Sequence, residues 1–264
     1  MNKFGMPTLI EMSELEESAM LCRELGLDFI EISMSLPQYT LEAIDIEHFN
    51  YIAKKYGIFY TIHLDENVNF ADFNAYISKA CFEYIKETIG MAKKIDAKII
   101  NMHFHRGEHF TLPDRKVDLF EVYGGFFNER VCAFRDMCER EIADSNIKIC
   151  IENCKGYQNF QKNALDYLLE SNAFALTLDI GHDHTAGRVD RPYILEHKSR
   201  LYHMHMHDAQ AKKDHLALGT GEIDINDHIE LAKDTGCSIV LETKTIEGLR
   251  QSVEWLKKHG FIQI

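Results

Sequence analysis

Residues 148–152 read Lys-Ile-Cys-Ile-Glu, a run in which large aliphatics alternate with other side chains and a carboxylate closes the sequence. Side chains on a β-strand point alternately to opposite faces, so Ile149 and Ile151 share one face while Cys150 and Glu152 share the other. The scheme recurs in Ala175-Leu176-Thr177-Leu178-Asp179 and in Ser238-Ile239-Val240-Leu241-Glu242. Each strand therefore sends its larger aliphatics one way, against packed helices. The other face carries smaller residues toward an interior that ends in an acid at the C-terminal edge.

Outward from these three, short β-branched runs alternate with amphipathic charged segments along the whole chain. The predicted strands are Lys3–Leu9, Phe29–Ser33, Phe59–Leu64, Ile99–His105, Ile147–Asn153, Ala175–Ile180, Leu201–His207 and Ser238–Thr243. Helical patterns fill the gaps at Ser13–Leu25, Ile46–Tyr56, Ala75–Lys94, Leu119–Ala143, Asn163–Glu170, Ile225–Asp234 and Ile246–Lys258, and Gly26, Gly57, Gly236 and Gly260 stand where helix stops belong. About eight strand-helix units without a low-complexity linker predict an α/β fold, a single (β/α)8 TIM-barrel domain over residues 1–264. The C-terminal end of such a barrel carries the active site.

The seventh strand is unusual. In Tyr202-His203-Met204-His205-Met206-His207-Asp208 three imidazoles fall on one face. His63 and His105 close the third and fourth strands, Glu152, Asp179 and Glu242 close three more, and His182 and His215 follow the sixth and seventh. Neutral imidazole and ionised carboxylate are the usual ligands of zinc and manganese, and a bound cation offsets the repulsion among clustered acids. Glu31, on the interior face of the second strand, suits orienting a substrate hydroxyl or a ligand histidine. Lys212-Lys213 beside the seventh strand offers a contact for an anionic substrate.

With 264 residues, 45% of them hydrophobic, the chain can bury a core of barrel size. The formal net charge of −13 weighs against a nucleic-acid surface. The opening residues lack the shape of a signal peptide and no apolar run of about 18 residues occurs. The expectation is a cytoplasmic protein without a membrane partner. The seven cysteines form no C-x-x-C pair and read as reduced core residues.

The motifs Ile62-His63-Leu64, His105-Arg106-Gly107, Ile151-Glu152-Asn153, Leu178–Gly187 (LDIGHDHTAG), His205–Asp208 (HMHD), Leu218–Asp224 (LGTGEID) and Leu241-Glu242-Thr243 resemble those of the xylose isomerase-like TIM-barrel superfamily. That group holds sugar and sugar-phosphate isomerases and epimerases together with the type IV apurinic endonucleases. The resemblance implies that Glu152, Asp179, His205 and Glu242 are metal ligands, with Asp208 selecting His205 from the three histidines. His63, His105, His182 and His215 match residues that complete further metal sites in the endonucleases, and His63 and His105 match substrate contacts in the isomerases. Lys213 departs from the endonuclease pattern, which has an acid two residues before the last histidine.

The leading expectation is an isomerase or epimerase of a sugar or sugar phosphate that uses one to three divalent ions (zinc, manganese or magnesium) and proceeds through an enediolate. Glu152 and Glu242 would act as base and acid, and His182 would orient a substrate oxygen. Alternatives are a phosphodiesterase of the apurinic endonuclease kind and a non-catalytic metal-binding barrel. Self-association into a homo-oligomer is left open.

Overall fold

A computed structural model of the protein describes residues 2–262. Eight strands close into a parallel barrel: β1 Phe4–Pro7, β2 Phe29–Ser33, β3 Phe59–His63, β4 Ile99–His103, β5 Lys148–Glu152, β6 Phe174–Asp179, β7 Leu201–Met206 and β8 Ser238–Leu241, with β8 paired back onto β1. The predicted barrel is therefore the observed fold. Residues 1, 263 and 264 of the expected domain lie outside the described residues.

Interior and exterior faces separate as strand parity requires. Ile149, Ile151, Leu176, Leu178, Ile239 and Leu241 are buried among the surrounding helices. The inward faces carry polar side chains that satisfy one another: Thr61 donates to Glu31, Thr177 to Asn101, and His203 bridges Glu31 and Ser238. At the opposite end of the barrel Phe29 stacks on Phe59 with centroids 4.9 Å apart. Gly5 admits that plug, since a Cβ there would lie 2.5 Å from the Phe29 ring.

Helices cover the barrel mostly where amphipathic periodicity placed them, although the one expected at Asn163–Glu170 runs Asn159–Leu169 and a further one, Arg191–Glu196, was not expected. Asp45 caps Ile46–Tyr56 by accepting from the Glu47 and His48 amides, and Gly57 ends that helix at φ +63°. Four further local departures accompany this pattern. The expected helix Leu119–Ala143 breaks into Leu119–Val122 and Gly124–Ile142 at Tyr123, whose φ −102° and ψ 43° leave the helical region. The β4–helix connection folds into a hairpin, His109–Thr111 with Lys116–Asp118, and the segment after β7 into another, Asp208–Gln210 with Lys213–Leu216. Residues Ile180–Thr185 form a short helix capped by Asp179. Among the described residues, no helix is long and apolar enough to cross a membrane.

Candidate metal centre and active site

Strand register brings the polar ends together. Glu152 pairs with His103 on one side and Thr177 on the other, and Asp179 pairs with His205. Glu152 and Glu242 each have one oxygen held by the protein, and Asp179 has both, since His207 Nε2 lies 3.1 Å from each. Asn101 donates to Glu152 Oε2, the His182 amide donates to Asp179 Oδ1 at 2.6 Å, and Lys244 Nζ donates to Glu242 Oε1 at 2.8 Å.

Glu242 Oε2, Glu152 Oε1 and Asp179 Oδ2 converge on His205. Its Nδ1 lies 3.1 Å from Glu242 Oε2, 3.5 Å from Glu152 Oε1 and 3.8 Å from Asp179 Oδ2. Glu152 Oε1, His205 Nδ1 and Glu242 Oε2 are buried without a hydrogen-bond partner, as is His182 Nδ1, 3.4 Å from Glu152 Oε1. Orphaned buried donors and acceptors are costly, and a cation satisfies acids and imidazole lone pairs together. Tetrahedral ligands at about 2.1 Å from zinc stand roughly 3.4 Å apart, within the observed spread. The donor set fits a divalent ion.

Outer contacts orient this set. Glu31 is hydrogen-bonded to His203 Nε2 at 2.8 Å and lies 2.9 Å from His205 Nε2, which has no hydrogen-bond partner, so the carboxylate stands behind the imidazole that faces the centre, where a carboxylate–histidine support would form on a small ring rotation. His207 Nδ1 accepts the His215 amide at 2.8 Å, which leaves Nε2–H to donate to Asp179 at 3.1 Å. The two rings stack 4.2 Å apart, and His215 is held at φ +55°. Gly181 makes room: a Cβ there would lie 2.0 Å from the His207 ring. Asp208 accepts amides from Ala209, Gly219, Gly221 and Ile223, which ties the Leu218–Asp224 segment to the strand end. Its position in the HMHD motif is thus structural.

Most of the expected site residues meet here, and two, His105 and Lys213, stand elsewhere. His105 is corrected to His103: β4 ends at His103, whose Nε2 is 3.6 Å from Glu152 Oε2, while His105 has left the barrel and contacts the Glu66 carbonyl. Lys213 is exposed on the second hairpin, and the cation at the mouth is Lys244. Glu31 lines the cavity over the centre and lies behind His205, the position expected of a residue that orients a ligand histidine. His63 Nε2 lies 3.3 Å from Glu152 Oε2, and His215 Nε2 lies 3.7 Å from Glu242 Oε2. Asn101 and His207 were not singled out for these roles by the sequence. Their signal was strand parity alone, which is shared by every inward residue.

A cavity of about 180 Å³ opens over the centre, walled by His63, Glu66, Glu242 and Lys244 on its polar side and by Leu9 and Leu36 on its apolar side. A roomier cavity of about 650 Å³ by Phe73, Phe110 and Tyr123 carries none of the converging donors.

Electrostatics without an ion follow from the crowding. Burial alone would raise the Glu152 and Glu242 carboxyls, but His205 overrides it and holds both well below the usual range. Burial likewise opposes protonation of His63 and His182, yet Glu152 lifts His63 to about 9, and Asp179 with Glu152 lifts His182 to about 10. A raised histidine pKa contributes stability that is fully present below its unfolded value of about 6.5 and is lost as pH rises through the folded value. Chelator-treated protein is therefore expected to lose thermal stability from about pH 6.5 to about pH 10. Divalent-ion affinity is expected to rise over the same interval, because the ion displaces those protons. Melting curves across that range with chelator and with manganese check both signs; parallel pH profiles would refute the assignment.

A family profile described as the xylose isomerase-like TIM barrel matches residues 20–259. The chain belongs to this family. An uncharacterised protein of Methanocaldococcus jannaschii is 26% identical over 273 residues, spanning 97% of this chain and 89% of that protein. Among solved structures, a D-tagatose 3-epimerase-like protein superposes with a TM-score of 0.79 at 24% identity, covering 97% of this chain and 96% of that one. The IolI protein, solved with a bound zinc atom, superposes with a TM-score of 0.72 at 18% identity, covering 97% and 95%.

Proposed function

We propose that the protein is a divalent-metal-dependent isomerase or epimerase of a sugar or sugar phosphate. The observation that carries this reading is that Glu152 and Glu242 present partner-free oxygens to one imidazole nitrogen from strands three places apart on the ring. Two carboxylates so placed can address opposite faces of a substrate seated between them. A divalent ion on Glu152, Asp179, His205 and Glu242, when bound, supplies Lewis-acid polarisation of the substrate carbonyl.

One carboxylate then removes the proton α to the carbonyl, giving an enediolate, and the other, which must enter the substrate complex carrying a proton, delivers it to the opposite face or the neighbouring carbon, so that the two exchange protonation states over the step. Asn101 and Lys244 hold the far oxygens so that the reacting oxygens face inward. His182, at the edge of the cluster, orients a substrate oxygen. The names of solved neighbours support this reading: they include a D-psicose 3-epimerase with D-tagatose and an L-ribulose 3-epimerase.

One observation favours phosphodiester hydrolysis instead. His207, His215 and Glu242 bring a second donor group together, which suits a further ion. Against it, both His207 nitrogens are already engaged, and His215 Nδ1 lies 3.0 Å from Asp214 Oδ1.

Manganese- or zinc-loaded protein offered a panel of ketoses, ketose phosphates and an abasic duplex oligonucleotide is expected to interconvert a ketose with its epimer or aldose and to leave the DNA intact. Efficient strand cleavage with no sugar turnover would reverse the ranking.

A further inference from the structure

The cavity over the metal centre has a wall that the proposed proton transfers touch only through the single hydrogen bond from Lys244 to Glu242. Thr8 and Lys244 follow β1 and β8, Ser33 closes β2, and all three line the cavity. β8 pairs with β1 and β1 with β2, so the three residues form one continuous arc of the mouth. The convergent ligand-type residues Glu152, Asp179 and His205 arrive from β5, β6 and β7.

Every member of the arc has hydrogen-bond donors to offer. Thr8 Oγ1 accepts the Ser33 amide at 3.0 Å, which leaves its own hydroxyl proton for a guest. The Ser33 hydroxyl has no hydrogen-bond partner among the described residues. Lys244 Nζ commits one N–H to Glu242 Oε1 and keeps two, on a side chain that is 57% exposed. Lys244 is also the one lysine or arginine lining the cavity. Arg106 is paired with Asp118, and Lys213 is exposed on its hairpin. Loops after the last two strands are where barrels of this architecture frequently bind phosphate, and a lysine recognises such a group as a point charge.

We infer that this arc receives an anionic group of the substrate, a phosphate monoester or a carboxylate, held by Lys244 with the hydroxyls of Thr8 and Ser33. The inference rests on the proposed sugar chemistry of the same mouth and narrows its substrates to ketose phosphates and keto-sugar acids.

The test is calorimetric titration of metal-loaded protein with a ketopentose, its 5-phosphate and a ketohexonate. An anionic ligand is expected to bind tighter than the neutral ketose by roughly 10-fold or more, the scale of one charge-assisted hydrogen bond. Lys244→Met should bring that ratio close to one, Ser33→Ala should lower it by a smaller factor, and Lys244→Arg should keep it. The phosphate and acid arms identify which anion is read. A ratio near one in the unaltered protein, a ratio unchanged in a folded Lys244→Met variant, or no binding of any of the three ligands would overturn the inference. If Lys244→Met fails to fold, the unaltered protein and Ser33→Ala still decide it. Anion preference without sugar turnover would leave this inference standing and remove the isomerase reading, whereas turnover of neutral ketoses at a ratio near one would do the reverse.

Discussion

Glu152→Gln and Glu242→Gln are each expected to lower sugar turnover by about 1,000-fold or more while the barrel stays folded. A positioned general acid or base contributes roughly 100- to 10,000-fold, and each of these carboxylates is also asked to hold the ion. Glutamine keeps the volume of the side chain. It also relieves part of the repulsion among three buried acids, so the fold does not depend on the charge. His203→Asn should behave in the opposite way. That imidazole is fully buried between Ser238 and Glu31, one layer below the centre, and its loss should appear in the melting temperature more than in the rate. Turnover on the substrate found in the panel, alongside circular-dichroism melts of all three variants, makes the comparison. Activity retained in both glutamine variants would show that the acid and base are misassigned.

The second large effect concerns the ion itself. Protein treated with chelator and then reloaded with manganese or zinc is expected to melt at a higher temperature than the chelated form, since an ion present at 100 times its dissociation constant stabilises the folded state by about 2.7 kcal/mol. His205→Asn should largely abolish that gain, because Nδ1 is the point at which the three carboxylate oxygens meet. Glu31→Gln should weaken ion binding by roughly 10- to 100-fold through its place behind His205, as loss of outer supports of metal-ligating histidines does. Metal content after dialysis and melting curves give readouts independent of catalysis. Equal melting of chelated and reloaded protein, or an ion found only away from these four side chains, would sink the assignment.

Much of this arrangement is legible in the chain. Alternation at residues 148–152, 175–179 and 238–242 separates helix-facing from interior residues because the strand period is two. An acid at the end of each run then lands at the C-terminal mouth, whatever the surrounding detail. The three histidines of β7 were likewise placed on one face by parity, and their different fates follow from depth. His203 sits with Ser238, His205 meets the centre, and His207 supports Asp179. Depth is set by the stagger of neighbouring strands, which a single strand does not encode.

Local sequence determined the eight strands, the helix stops at Gly26 and Gly57, and the residue types available for an ion. Tertiary structure alone decided which of them meet. His103 and His105 have the same parity, and only the point where β4 leaves the sheet puts His103 against Glu152 and His105 against the Glu66 carbonyl. Lys213 and Lys244 are both lysines close to a strand end. A hairpin pairing Gln210 with Lys213 carries the first away from the mouth, while hydrogen bonding to Glu242 keeps the second in it. The physical reason is the same in both cases: periodicity is a property of a few adjacent dihedral angles, whereas convergence depends on strand ends and register fixed by partners far along the chain, such as Glu31 and His203, 172 residues apart.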